Sequence, residues 1–124
     1  MLQYVAVNNN QKIPVNREDD GELLGFIAQD TLGWEAQTIF SYPIARSDDK
    51  EAAKTTVRAQ GLSFLMGVWE YFDEDDRKWH ACILKEAYEH RVVVIRTTVM
   101  GYQDPDDFKT VIIKNPSETN LIKS

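Results

Sequence analysis

The stretch from Leu23 to Tyr42 reads LLGFIAQDTLGWEAQTIFSY and predicts a β-hairpin. Its first part is apolar and rich in β-forming residues, and Asp30-Thr31-Leu32-Gly33 is typical of a turn. The second part alternates with a period of two, which is the pattern of a strand with one buried face. Pro43 either ends this strand or places it at a sheet edge. We expect the buried face of the second strand to consist of Trp34, Ala36, Thr38, Phe40 and Tyr42.

The segments on either side of this hairpin extend the pattern. Upstream, Leu2 to Val7 predicts a short strand, and Ile13-Pro14-Val15 predicts a return strand that Pro14 confines to an edge. Downstream, Ser47-Asp48-Asp49 predicts the start of a helix over about residues 48–60 with Asp48 as its N-cap. Small residues form its inner stripe, which favours close packing on a sheet, and Gly61 is a plausible terminator.

The second half of the chain predicts further strands. Leu62 to Phe72 begins one, the β-branched run from Val92 to Val99 predicts a buried one, and Phe108 to Lys114 alternates as the last. Residues 83–91 fit two structures. They contain good helix formers with one apolar face, but they also fit a strand that turns and pairs with Val92 to Ile95. The lack of Gly or Asn at a turn favours the helix slightly.

Strands joined by short turns predict an α+β fold with a single antiparallel β-sheet and one helix packed on a face. The expected order is β-β-β-α-β-β-(α or hairpin)-β-β. With 124 residues and no linker-like stretch, residues 1–124 predict a single domain. Its last segment, residues 115–124, is polar, and we expect it to fray.

The charge balance limits the classes of partner. The chain has 14 Lys and Arg against 20 Asp and Glu, for a formal net charge of −6. This charge repels nucleic-acid backbones and anionic membranes, so we expect neither as a partner. Met1 to Val5 lacks the start of a signal peptide, and no apolar run is long enough to span a bilayer. These observations predict a cytoplasmic protein.

The candidate metal and catalytic residues are few. His80, Cys82 and His90 are the residue types that zinc prefers, but their spacing is not that of a zinc site. Cys82 lies in an apolar run, which indicates a small buried residue rather than a nucleophile. The acidic runs Asp73–Asp76 and Asp104–Asp107 lack the Gly and Glu of a calcium loop. We therefore expect no metal, no cofactor and no catalytic set.

The aromatic and arginine residues of the second half are the candidate binding residues. Aromatic side chains dominate both core packing and protein interfaces, so these rows fit either a core or an exposed binding platform. A partner- or ligand-binding surface would use Trp69, Tyr71, Trp79, Arg91 and Arg96.

One family resemblance lies in the same segment. Trp69-Glu70-Tyr71, Trp79 and Leu84-Lys85-Glu86-Ala87-Tyr88 resemble the order of signature residues in WWE domains. The resemblance implies a tryptophan hairpin followed by a helix over the last of these segments. It also implies binding of ADP-ribose polymers or a role as a protein interaction module.

These observations together favour a non-enzymatic interaction protein of the adaptor, inhibitor or immunity type that binds another macromolecule, with a protein as the expected partner. The alternative is a small-molecule-binding domain or minor enzyme with a pocket at the sheet–helix interface. A homodimer is a further expectation, because Phe108 to Ile113 contains one charge and no proline to block an edge strand.

Overall fold

The computed structural model describes residues 12–124, and the predicted strand over Leu2 to Val7 lies outside them. The chain divides into two compact units, Met1–Phe64 and Leu65–Ser124. We call them the helix-bearing unit and the five-stranded unit. The expectation of one domain over residues 1–124 stays a prediction.

The helix-bearing unit contains a four-stranded antiparallel sheet in the order β1-β2-β3-β4. Its strands are β1 (Lys12–Asn16), β2 (Leu23–Asp30), β3 (Gly33–Gln37) and β4 (Pro43–Ser47). The predicted hairpin is confirmed as β2–β3, with the Leu32 amide donating to Asp30 Oδ1 (2.8 Å) in its turn. Pro14 lies in β1, at the edge of the described sheet, as predicted.

The alternating pattern after Gln37 does not continue as a strand. The chain turns at Thr38–Tyr42, where the Tyr42 amide donates to Thr38 Oγ1 (3.1 Å) and Ser41 has a positive φ of 68°. Phe40 is still buried, but on this turn rather than on a strand face. Pro43 then opens β4, which pairs with β3, so a strand begins at the residue that was expected to end one or to mark an edge.

The predicted helix is confirmed as α1 (Lys50–Gln60). Its N-cap is Asp49 rather than Asp48, and the Asp49 carboxylate accepts from the Ala52 amide (3.1 Å). Ala53 and Val57 are its buried residues. They pack with β-strand side chains in one core cluster, whose members are Val15, Leu24, Ile27, Ala36, Ala53 and Val57.

The five-stranded unit is a second antiparallel sheet in the order β8-β7-β6-β5-β9, so the prediction of a single sheet is wrong. Its strands are β5 (Trp69–Asp73), β6 (Lys78–Ala87), β7 (Arg91–Arg96), β8 (Thr110–Lys114) and β9 (Leu121–Lys123). In the described residues, β1–β4 pair only with one another, as do β5–β9. The result is an α+β chain with two antiparallel sheets and one described α-helix.

Residues 83–91 form no helix. Ile83 to Ala87 belong to β6, which pairs with β7 around a register shift between Leu84 and Glu86. The turn back is closed by the Tyr88 amide, which donates to the Arg91 carbonyl (2.9 Å). Local helix propensity is weak and pairing overrides it, because the buried valines of β7 need a partner strand.

The expected fraying of residues 115–124 stays a prediction, although part of this segment is ordered in the sheet. Leu121 to Lys123 form β9, which pairs with β5. Leu121 is fully buried, and burial of an apolar side chain stabilises this short strand.

Candidate functional site

The buried face of the five-stranded sheet ends in a cluster of charged residues. Trp69, Tyr71 and Asp73 alternate along β5 and all three are buried. Asp73 thus brings a carboxylate to a face that is otherwise apolar. A buried carboxylate is costly unless it is paired, so its partners define the local structure.

Asp73 accepts hydrogen bonds at both carboxylate oxygens. Its Oδ2 accepts from Arg96 Nη2 (2.6 Å), Lys109 Nζ (2.7 Å) and the Tyr71 hydroxyl (3.1 Å). Its Oδ1 accepts from the Asp75 amide (2.8 Å). Burial by itself would raise the pKa of Asp73, but these hydrogen bonds, that of Lys109 first, outweigh it and hold the pKa well below its ordinary value.

The cations of this cluster have further partners. Arg96 Nε donates to the Tyr71 hydroxyl (3.0 Å) and Arg96 Nη1 to Asp107 (3.0 Å). Lys109 also donates to Asp75 (2.8 Å), and its two hydrogen bonds raise its pKa. We call Tyr71, Asp73, Arg96, Asp107 and Lys109 the Asp73 network.

The Asp73 network crosses the sheet. β8 and β5 are three strand positions apart. In a flat sheet they would be separated by about 14 Å, three spacings of about 4.8 Å. Lys109 directly precedes β8, and its long side chain covers much of this distance to reach Asp73 at the end of β5. The network therefore ties the start of β8 to the end of β5.

A cleft of about 370 Å³ lies between the end of β5 and β8. One wall is Phe72–Asp75 with Asn120, and the other is Lys109 with Val111–Lys114. The cleft is thus bordered along one side by β8. It lies in the five-stranded unit, which has no α-helix, and not at the sheet–helix interface that the sequence suggested for a pocket.

β8 is an edge strand. Among residues 12–124 it pairs with β7 and with no other strand. The Arg96 amide donates to the Lys109 carbonyl (2.8 Å), and the Asn115 amide donates to the His90 carbonyl (2.7 Å). Hydrogen-bonded residues alternate along an antiparallel pair. Val111 and Ile113 therefore direct their backbone groups towards β7, and the free edge presents those of Thr110, Ile112 and Lys114.

The five candidate binding residues from the sequence lie in different places. Trp69 and Tyr71 are buried core residues, and Tyr71 is brought together with Arg96 in the Asp73 network. Trp79 is 40% exposed and makes an edge-to-face contact with Phe72 (5.6 Å between ring centroids) on the opposite face of the sheet. Arg91 stacks on the Tyr88 ring (4.4 Å) at the far end of β6. Their role in binding stays a prediction.

The residues considered for metal binding and nucleophilic catalysis are also separated. His90 lies in the exposed turn after β6, whereas Cys82 is buried within β6. Burial raises the pKa of the Cys82 thiol to about 12, so it is not a thiolate near neutral pH.

His80 lies instead beside Asp73 and Asp76, with the three ligand atoms within 4.8 Å of one another. Arg96 Nη2, at 2.6 Å from Asp73 and 4.0 Å from Asp76, already supplies a positive charge there. The guanidinium group opposes the binding of a second cation at this point.

Sequence reasoning did not identify Asp73, Asp107 and Lys109 as one network with Arg96. A usable signal was the position of Asp73 two residues after Tyr71 and directly after Phe72, where the predicted strand ended. That spacing places a carboxylate on the same face as Trp69 and Tyr71, where it requires a partner if the aromatic row is buried.

Comparisons with known proteins give no further assignment. The helix implied by the WWE resemblance is absent, because residues 84–87 lie in β6. Within residues 12–124, no helix has the length and apolar character needed to cross a bilayer. Searches against protein-family models, curated proteins and solved structures found no match.

Proposed function

We propose that this chain is a non-enzymatic interaction protein that binds an extended segment of another protein along the free edge of β8. The observation that carries the proposal is this edge, where Thr110, Ile112 and Lys114 present outward-directed backbone groups beside the cleft. An extended peptide that pairs with such an edge gains main-chain hydrogen bonds, and neighbouring pockets select its side chains.

The rigidity of the edge supports the same function. Lys109 precedes β8 and is held by two carboxylates, and the Asn115 amide after β8 is bonded to the His90 carbonyl. A strand fixed at both ends loses little conformational entropy when a partner binds, which favours affinity.

The chemistry of the cleft indicates the kind of partner. The Ile112 side chain is 56% exposed and offers an apolar contact. Glu74 and Asp75 in the cleft wall are highly exposed carboxylates, which pair with Arg77 (3.9 Å) and Lys109 (2.8 Å), and the whole chain has a net charge of −6. We infer a partner strand with alternating apolar residues and a basic residue near the Glu74–Asp75 turn.

Selection from a displayed library of short random peptides tests this function. Ile112→Pro removes one outward-directed N–H, a position where an edge strand tolerates proline. Ile112→Val is the matched control, because it keeps the N–H and an apolar β-branched side chain. Peptides selected on the wild-type protein should bind Ile112→Val and lose binding to Ile112→Pro. Equal binding to both variants, or failure to enrich any peptide, would refute strand addition.

A small-molecule site is the second candidate function, and the cleft volume favours it. About 370 Å³ lies within the range of roughly 300–1,000 Å³ that ligand pockets occupy. It ranks second because Asp73 and Lys109, two charged groups of the wall, are paired with each other. In a fragment screen by NMR, a small-molecule site would show saturable shifts on both walls of the cleft, at Glu74 and Asn120 as well as at Val111, whereas a strand that pairs with β8 would shift the β8 amides most.

A further inference from the structure

We infer that a second copy of this chain can occupy the free edge of β8, with the two β8 strands antiparallel about a twofold axis at Ile112. This inference rests on the proposed function, since it requires that the edge accept a strand. It names one partner for that edge and implies a regulatory consequence, because self-pairing and partner binding exclude each other.

The backbone of β8 is self-complementary in this register. Ile112 lies opposite Ile112 of the second copy, and Thr110 lies opposite Lys114 of the second copy. All residues in these pairs direct their backbone groups outward, as established by the hydrogen bonds at Lys109 and Asn115. Each of the three pairs exchanges two hydrogen bonds across the new interface. The free edge thus has no unpaired backbone group left between Thr110 and Lys114.

The side chains agree with the same register. Ile112 is 56% exposed, so pairing it with its own copy covers apolar surface. Each Lys114 faces a threonine, so no like charges lie directly opposite each other. A register shifted by two residues would place Lys114 or Thr110 opposite Ile112 and leave one outward-directed residue without a partner. The symmetric register about Ile112 is therefore the favoured one.

The charge of position 110 gives a test that is specific for this register. Thr110→Lys places the introduced lysine of each copy opposite Lys114 of the other copy. Thr110→Glu places a glutamate opposite Lys114 in the same two positions. Cross-strand pairs contribute roughly 0.2–1 kcal/mol each, so two pairs change the dimer dissociation constant by roughly 2- to 30-fold. The expected directions oppose the effect of net charge, because Thr110→Lys lowers the repulsion between two chains of charge −6 and Thr110→Glu raises it.

Sedimentation equilibrium over a concentration series measures the result. The wild-type protein should show a monomer–dimer equilibrium, Thr110→Lys should weaken it, Thr110→Glu should strengthen it, and Ile112→Pro should abolish it. A monomer mass at all concentrations would overturn the inference. A dimer that persists unchanged in Ile112→Pro would also overturn it. The same holds if Thr110→Lys strengthens the dimer and Thr110→Glu weakens it. Thr110 is exposed, so its variants remain informative even if Ile112→Pro does not fold.

The peptide selection separates this inference from the proposed function. A wild-type protein that stays monomeric but selects peptides dependent on the Ile112 N–H overturns self-pairing and leaves strand addition supported. If both are correct, a selected peptide added in excess converts the dimer to monomer. A dimer that keeps its dissociation constant in saturating peptide overturns the shared edge.

Discussion

Replacement of Asp73 by asparagine should destabilise the five-stranded unit more than any change at the exposed part of the Asp73 network. The Asp73 side chain is 3% exposed and that of its partner Arg96 is 10% exposed. Asp73→Asn keeps the shape but removes the charge, so the buried guanidinium is left without its central counter-ion. Removing one partner of a buried ion pair lowers the free energy of unfolding by about 3–5 kcal/mol, mostly because the remaining charge is left buried without a partner.

The control residue is Asp107, which binds the same guanidinium but is 61% exposed. Asp107→Asn should cost less than about 1 kcal/mol, because solvent screens an exposed pair. A double variant, Asp73→Asn with Arg96→Met, should recover part of the loss, since it leaves no unpaired charge at Arg96.

Hydrogen exchange of the β7 amides measures these effects within the five-stranded unit. A loss of 3–5 kcal/mol accelerates exchange from globally protected amides by about 100-fold to several thousandfold. Similar acceleration in Asp73→Asn and Asp107→Asn would refute the central role of Asp73. An unchanged rate in Asp73→Asn would show that the network contributes nothing to stability.

Three further predictions follow from the same structure. The pKa of Asp73 is lowered in the folded state, so its contribution to stability is present above the unfolded pKa of about 4 and is lost as pH falls towards the folded pKa. β7 exchange should therefore show a larger acid-induced loss of stability in the wild type than in Asp73→Asn, which keeps Asp76, another carboxyl with a lowered pKa in the same unit; equal losses in the two proteins would contradict this role of Asp73. Leu121→Ala should cost about 2–5 kcal/mol by the same assay, because the side chain is fully buried; a negligible change would mean that β9 does not stabilise the sheet. Gly61→Ala should destabilise α1 although alanine favours helices, because its Cβ would lie 2.4 Å from the Leu24 carbonyl oxygen; an increase in thermal stability, measured by circular dichroism, would contradict that steric argument.

Local patterns predicted those elements whose formation depends on neighbouring residues. The β2–β3 hairpin follows from alternation and the turn at Asp30–Gly33. Helix α1 follows from its acidic start and its small inner residues, and β7 follows from a β-branched run. Each is determined by side chains within a few positions of one another, which is the range that periodicity and turn signals cover.

Several elements that depend on distant pairing were not predicted or were left open between two structures. β4 begins at Pro43, which locally indicates an end, and β9 is too short to give a periodic signal. The last part of β6 has helix-forming residues, but its pairing with β7 decides its conformation. The Asp73 network joins Asp73 to Arg96 and Lys109, which lie 23 and 36 positions further along the chain, and the pairing of β5 through β8 in one sheet brings them together.

The free edge of β8 also explains how an exposed strand can pair without open-ended aggregation. Natural sheets limit such pairing with short edges and with lysine at the margins. Of the three outward-directed positions, Ile112 lies at the centre and the charged Lys114 at one end, and Lys109 directly precedes the strand. The other margin of the described sheet is β9, which has three residues and ends in Lys123. The proposed self-pairing at β8 would use the longer of the two edges of the described sheet, and because such a contact would be isologous it would close on two copies instead of propagating.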